Sequence, residues 1–147
     1  MLRYRSFLAL VLALVTVFVV SCATLTAQPP LYDQSKLAQV KIFLPTILAT
    51  RDRMPELEKL IEERDWVFVG NFIHGPLGDL RREMKSLARN LLPPDDKAAT
   101  KAADRLFNDI EAIDAAAEAN SYAQAAVSYK AAIKDFDSFL DLIPTKG

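Results

Sequence analysis

Residues 95–119 read DDKAATKAADRLFNDIEAIDAAAEA, and this stretch decides the fold. Its apolar residues recur at alternating spacings of four and three, at positions 99, 103, 106, 110, 113 and 117. This spacing places them on one face of an α-helix and is typical of the seam of a helical bundle. Asp95 and Asp96 follow Pro94, where negative charge near unpaired backbone N–H groups favours a helix start. The stretch is therefore predicted to be a helix with one buried face.

Three further segments of the chain repeat this design. They cover residues of about 34–63, 65–92 and 121–143, and glycine and β-branched alternation are scarce in them. Pro55 predicts a kink or break of the first segment near residues 53–55, and Gly75-Pro76 predicts a local kink in the second. Each segment carries one apolar stripe that only a neighbouring stripe can cover. We therefore predict an all-α, up-down-up-down four-helix bundle over residues 34–144.

Three aromatic residues stand near the start of the 65–92 segment. Trp66 begins the apolar stripe of that segment, and Asp65 is in a position to cap the helix. Phe68 and Phe72 lie beside the stripe. The favoured interpretation is that both belong to a wider buried face, and the alternative is an exposed contact patch.

The N-terminus has the layout of a secretory signal that ends at a cysteine. Arg3 and Arg5 precede an apolar run that stops at Ser21-Cys22. Residues 1–21 are therefore predicted to be a lipoprotein signal peptide, with Cys22 as the lipidated residue. Val19 and Val20 depart from the commonest form of this signal, and an uncleaved membrane anchor is the alternative. The apolar run is shorter than the ~20 residues that a spanning helix needs.

The predicted mature chain consists of a lipidated tether over residues 22–33 and the bundle. Removal of Arg3 and Arg5 with the signal leaves 16 basic and 19 acidic residues, a formal net charge of −3. A mildly acidic chain with both signs interspersed lacks the broad basic face that nucleic acid requires. The single cysteine leaves no disulfide to stabilise the fold, so helix packing must do so.

The chain lacks the residue patterns of catalytic and cofactor sites. It has no Cys-x-x-Cys-His and no Glu-x-x-His pair, so neither covalent haem nor a di-iron site is expected. His74 is the only histidine and Cys22 is assigned to the lipid, so no serine or cysteine nucleophile has a plausible base partner. A surface metal ligated by His74 is the weaker interpretation, and a capping or packing role is favoured. We expect a protein that is not an enzyme and holds no metal or other cofactor.

One face of the 65–92 segment carries a basic strip, defined by Arg81, Arg82, Lys85 and Arg89. It is either a solvated face neutralised by nearby carboxylates or a docking strip for an acidic protein surface or anionic head groups. Acidic residues at positions 104, 111 and 118 repeat every seven residues along the next helix. They are expected to form an opposing acidic row that makes the molecule electrically polar.

The order of these motifs resembles the PsbQ family in its cyanobacterial, lipid-anchored (CyanoQ) form. The resemblance covers essentially the whole exported chain. It rests on four stretches and three single residues: DWVFV at 65–69, IHGPLGDLR at 73–81, LF at 106–107, IEAID at 110–114, and Tyr122, Ala125 and Tyr129. It implies an extrinsic subunit, anchored by lipid at the lumenal face of the thylakoid membrane, that binds photosystem II and stabilises its oxygen-evolving assembly. The implied partners are the core antenna protein and the manganese-stabilising extrinsic subunit.

Two other functions fit the residues when they are considered without the resemblance. One is a periplasmic lipoprotein that binds a hydrophobic ligand between its helices, and the other is an envelope chaperone. A ligand would need an apolar cavity, whereas large aromatics such as Phe107, Tyr129 and Phe136 favour a filled bundle.

Overall fold

The computed structural model describes residues 32–144, and these residues form helices and turns with no strand. Five α-helices follow one another in chain order: α1 (Gln34–Glu62), α2 (Trp66–His74), α3 (Leu80–Ala88), α4 (Pro93–Glu118) and α5 (Tyr122–Leu140). The all-α prediction is confirmed. The number of helices differs from the predicted four because the second segment forms two helices.

The helices pack as four antiparallel rods, with α2 and α3 together forming the second rod. α1 contacts α2 and α3, these contact α4, α4 contacts α5, and α5 returns to contact α1. Within residues 32–144, the backbones of the diagonal pairs α1–α4 and α3–α5 do not approach one another closely. Short turns place consecutive rods side by side, because each can bury its apolar stripe only against a neighbour.

The core is one continuous cluster between the rods. Fully buried large side chains include Ile47 and Met54 of α1, Leu106 of α4, and Phe136 and Phe139 of α5. The most extensive helix contact is α4 with α5. Buried alanines line both helices at this contact and let the two backbones approach closely; they are Ala99, Ala102, Ala103, Ala116, Ala117, Ala125 and Ala132.

α1 is unbroken through both of its prolines, so the structure shows no helix interruption at residues 53–55. Pro45 and Pro55 lie on the exposed side of α1, whereas Ile47, Met54 and Leu57 on its other side are fully buried. An interior proline costs about 3 kcal/mol, and each large buried apolar side chain contributes about 1.5–3 kcal/mol. Burial of the inner face therefore outweighs the loss of two backbone hydrogen bonds.

The second segment is interrupted at residues 75–79, where only a kink was expected. Pro76 has no N–H group, and the Phe72 carbonyl accepts instead from Leu77 N–H at 3.3 Å. A Cβ added at Gly75 would lie 2.8 Å from the Asn71 carbonyl oxygen, so the backbone passes too close for a side chain. These two residues end α2 and require a new helix start at Leu80.

The buried stripe of α5 lies slightly to one side of the stripe that the seven-residue spacing predicts, which is Tyr122, Ala126, Tyr129, Ile133, Phe136, Leu140 and Ile143. The structure buries Ala125, Ala132 and Phe139, whereas Tyr122, which the periodicity placed on the seam, is 40% exposed. Tyr122 is the first residue of α5, directly after the α4–α5 turn. Heptad periodicity alone does not reveal where a helix leaves the core.

The predicted signal peptide, Cys22 and nearly all of the tether lie outside the described residues. Of the tether, only Tyr32 and Asp33 are described, and the Asp33 side chain caps α1 by accepting from the Lys36 N–H at 2.8 Å. Within residues 32–144, every helix is too short or too polar to cross a bilayer.

Candidate functional site

The basic strip lies along α3 and is largely neutralised by α4. Arg81 forms an ion pair with Glu111, and Lys85 Nζ lies 3.0 Å from the Asp104 carboxylate. The Arg81 guanidinium also stacks over the Phe107 ring, 4.5 Å from its centroid. These two cations therefore hold α3 against α4, in agreement with the interpretation of a neutralised face.

The other two cations of the basic strip point away from α4. Arg82 pairs with Asp79 of its own turn at 3.0 Å, and both side chains are more than 70% exposed. Arg89 Nη2 donates to Ser86 Oγ at 3.0 Å, and among residues 32–144 it has no ion-pair partner. An exposed pair between two long or mobile side chains contributes little stability. Arg82 and Arg89 are thus the cations of the strip that an acidic partner can reach.

The acidic row of α4 lies beside the basic strip and not opposite it, which corrects the expected electrical polarity. Asp104 and Glu111 lie about two turns apart on α4, and Arg81 and Lys85 lie about one turn apart on α3. Because α3 and α4 are antiparallel neighbours, Glu111 reaches Arg81 and Asp104 reaches Lys85. Of this row, Glu118 alone lies beyond the end of the basic strip. Arg81 and Lys85 are neutralised by Glu111 and Asp104 across one helix contact, whereas Arg82, Arg89 and Glu118 lie outside it.

His74 lies at the C-terminal end of α2 and contacts one carboxylate. Its Nε2 is 3.1 Å from Asp114 Oδ2, and its side chain is 72% exposed. A protonated imidazole at a helix C-terminus interacts favourably with the helix dipole and with such a carboxylate. In residues 32–144, no three His, Cys, Asp or Glu side chains are close enough to hold a metal together.

The two phenylalanines beside the α2 stripe have different environments. Phe72 is buried, with the Arg53 guanidinium 5.3 Å from its ring centroid. Phe68 is 57% exposed, and its neighbour Val67 is 71% exposed. The favoured interpretation of two core residues therefore holds for Phe72 and is wrong for Phe68.

Tyr32 fastens the start of the bundle to the α3–α4 turn, a contact that the sequence did not reveal. Its hydroxyl donates to Asp95 Oδ2 at 2.6 Å and accepts from the Leu92 N–H at 3.0 Å. Burial and this bond to Asp95 raise the pKa of Tyr32 to about 12. The end of the bundle that carries Tyr32 and Leu92 is called the tether end below. It is the end at which residues 22–31 join the bundle.

A shallow cleft of about 200 Å³ separates α1 from α5 at the opposite end of the bundle. Its walls include Glu58, Glu62, Tyr122 and Tyr129. The Tyr129 hydroxyl donates to the Met54 carbonyl at 3.1 Å, and burial, together with the nearby Glu58 carboxylate, raises the pKa of Tyr129 to about 12. Tyr129 thus ties α5 to α1 as a neutral phenol.

A second groove, between α4 and α5, is wider and opens to solvent. Its volume is about 540 Å³. It is lined mainly by small side chains: Ala112, Ala115, Ala116, Ala123, Gln124, Val127 and Ser128. Neither the groove nor the cleft presents a nucleophile beside a base. Both suit contact with another molecule better than chemistry.

Comparison with known proteins matches the chain to a family and to a relative. The sequence profile of the PsbQ family, described as oxygen evolving enhancer protein 3, matches residues 4–144. CyanoQ from Synechocystis sp. is 43% identical to the chain over 146 residues, which is 98% of each of the two proteins. Both matches extend over the helical bundle and the residues that precede it.

Proposed function

The chain belongs to the PsbQ family, and from this we propose that it docks on photosystem II through its helical bundle while a lipid on Cys22 holds it at the thylakoid membrane. As an extrinsic subunit on the lumenal side, it stabilises oxygen evolution. The observation that carries this function is the 43% identity to CyanoQ over nearly the full length of both chains. The protein binds and does not catalyse.

We propose that lipid and protein contacts act together. A lipid on Cys22 raises the local concentration of the bundle at the membrane, so that a modest protein interface is enough to hold it on its host. Tyr32 fixes the point at which the tether joins the bundle by binding Asp95 and Leu92. By family resemblance, the neighbours are the core antenna protein and the manganese-stabilising extrinsic subunit.

The lipid is tested by mass spectrometry of the mature N-terminus and by a Cys22→Ser variant. We expect the mature chain to begin at Cys22 with a diacylglyceryl thioether. The serine variant should be released from washed thylakoid membranes at lower salt than the unchanged chain, because it keeps only its protein contacts. An unmodified mature chain that begins at Ala23 would contradict lipidation.

The basic strip is the first candidate for the protein interface. We propose that Arg82 and Arg89 contact an acidic surface of photosystem II, while Arg81 and Lys85 hold α3 against α4. Reversing the charge of Arg81 or Lys85 would place like charges beside Glu111 or Asp104 and weaken the bundle itself. Substitution of the two outward cations leaves those ion pairs intact.

The test is the rebinding of the protein to photosystem II complexes from a strain that lacks this subunit. The double variant Arg82→Glu/Arg89→Glu should bind about five- to tenfold more weakly at low ionic strength, and the difference should shrink as salt is added. The matched control is Lys41→Glu/Lys134→Glu on exposed positions of α1 and α5, which should bind as the unchanged chain does. Equal binding of all three proteins would remove the strip from the interface, and failure of the unchanged chain to bind would contradict the function itself.

A further inference from the structure

The end of the bundle opposite Tyr32, here called the distal end, is formed by the α1–α2 and α4–α5 turns. Both turns close their helix in the same way, with a residue in the left-handed region at Arg64 (φ 57°) and Asn120 (φ 54°). The Arg64 guanidinium lies over the ring of Tyr122, 5.4 Å from its centroid. The two turns therefore lie side by side and form one surface.

The closing hydrogen bonds make this surface well ordered. Arg64 N–H donates to the Ile61 carbonyl at 3.1 Å, and Asp65 N–H donates to the Leu60 carbonyl at 2.9 Å. The same pair of bonds ends α4. This is the Schellman arrangement, in which glycine usually takes the left-handed position.

Large apolar side chains are exposed at the distal end. Val67 is 71% exposed and Phe68 is 57% exposed, on the first turn of α2, and Tyr122 is 40% exposed on the first turn of α5. Farther along the same helix, Val69 and Phe72 are buried in the core. Neighbouring exposed aromatic and β-branched side chains are typical of protein contact surfaces, where aromatic residues carry much of the binding free energy.

The distal end is also acidic. Five carboxylates stand there against three cations, Lys59, Arg64 and Lys130, a formal excess of two negative charges. Lys130 lines the same cleft as Glu58 and Glu62, and the carboxylates are Glu58, Glu62, Glu63, Asp65 and Glu118. Lys59 is paired with Glu63 at 3.7 Å. Within residues 32–144, Glu62 and Glu118 have no ion-pair partner. Their charges are therefore available to an approaching molecule.

From this geometry we infer that the distal end docks onto a protein surface that presents lysine or arginine side chains around an apolar recess. The apolar residues Val67 and Phe68 would fill the recess, and Glu62 and Glu118 would meet its cations. An anionic membrane surface is disfavoured because it would repel the acidic distal end. The distal end of a second copy of the chain is disfavoured for the same reason. This contact is separate from the basic strip and has the opposite charge. The choice of photosystem II as the partner of this contact rests on the proposed function.

The apolar contribution is tested with the full-length double variant Val67→Ser/Phe68→Ser in the same rebinding assay. Both side chains are exposed, so the variant should keep the fold and the unfolding midpoint of the unchanged chain. It should bind about tenfold more weakly or worse, as expected when aromatic contacts at the centre of an interface are removed. The matched control is Ile42→Ser, which removes an apolar side chain that is 68% exposed on α1, far from the distal end, and should bind within about twofold of the unchanged chain.

The charge contribution is tested with Glu62→Gln/Glu118→Gln against the control Asp52→Asn/Asp141→Asn. The four carboxylates are all on exposed residues, and each variant removes two negative charges. The first variant should bind more weakly and with a smaller salt dependence, whereas the control should leave binding unchanged.

The outcomes separate this inference from the proposed function. If the unchanged chain rebinds and the Val67→Ser/Phe68→Ser variant rebinds equally well, the inference alone is overturned. Equal losses in the variants and their controls would overturn it as well, because the effect would not belong to the distal end. A concentration-dependent dimer that the serine variant abolishes in sedimentation experiments would assign the surface to a second copy and overturn the inferred partner. Absence of rebinding by the unchanged chain would overturn both proposals.

Discussion

The α4–α5 hairpin and the α2–α3 rod differ in continuity, although both arise from amphipathic sequence. α4 runs unbroken from Pro93 to Glu118 and packs closely along α5 through buried alanines. The α2–α3 rod is interrupted at residues 75–79, and each of its helices has nine residues. Short helices depend on tertiary packing for their stability. We therefore expect substitutions in the hairpin core to cost more stability than substitutions in the interrupted rod. The interrupted rod supplies the exposed charges and apolar residues.

The two exposed groups of the α2–α3 rod lie on different helices, one on each side of the interruption. α2 carries Val67 and Phe68 toward the distal end, and α3 carries the basic strip toward the tether end. In a continuous helix, the spacing of 3.6 residues per turn would fix the directions in which these two sets of side chains point about the helix axis. The turn at residues 75–79 lets the exposed side chains of α2 and α3 point in separate directions, while both helices still bury their apolar faces. The difference between the two rods can be measured by substitutions in each.

The largest effect is expected in the hairpin. Phe136→Ala removes a fully buried ring of α5 and should lower the free energy of unfolding by about 3–5 kcal/mol, through lost burial and the cavity that remains. Chemical denaturation of the mature chain measures this value. The control Val127→Ala changes a side chain that is 69% exposed on the same helix and should stay within about 0.5 kcal/mol. A cost below about 1 kcal/mol for Phe136→Ala would contradict this expectation for the hairpin core.

An intermediate effect is expected at the interruption of the α2–α3 rod. Gly75→Ala would place a Cβ 2.8 Å from the Asn71 carbonyl oxygen, and the turn must shift to admit it. We expect the free energy of unfolding to fall by about 1–3 kcal/mol. If the alanine variant were as stable as the unchanged chain, close backbone approach would not be what ends α2.

The smallest effect, with the opposite sign, is expected five residues earlier. An added Cβ at Gly70, inside α2, would meet no atom within 4 Å. Gly70→Ala should therefore raise the free energy of unfolding by about 0.5–1 kcal/mol, because alanine loses less conformational entropy in a helix. Differential scanning calorimetry of both glycine variants compares the two positions directly. A loss of stability in Gly70→Ala would show that α2 is under strain along its whole length.

The fold class was predictable because apolar spacing is a local property of the chain. The stripe of residues 95–119 is buried at each of its six predicted positions, from Ala99 to Ala117. Prolines were a weaker guide. Pro55 predicted an interruption that is absent, and Gly75-Pro76 predicted only a kink where the helix stops. Whether a proline ends a helix depends on how much burial continues beyond it, and that burial is a tertiary quantity.

The candidate surfaces were predictable only in part. The sequence identified the cations of the basic strip but not their partners, since Glu111 and Asp104 are distant in the chain and reach Arg81 and Lys85 only when α4 packs against α3. It also did not separate exposed Phe68 from buried Phe72. The two rings are four residues apart on one helix, and only the position of the neighbouring rods decides which one is covered.

The sequence by itself determined that this chain is helical, where its apolar stripes lie and to which family it is similar, because these follow from residue order and spacing. The tertiary structure decided which charges are neutralised, which aromatic residues stay in contact with water and which end of the bundle holds Tyr32. These properties depend on atoms that are brought together from distant parts of the chain. The distances that control ion pairing and burial exist only after the four rods have packed.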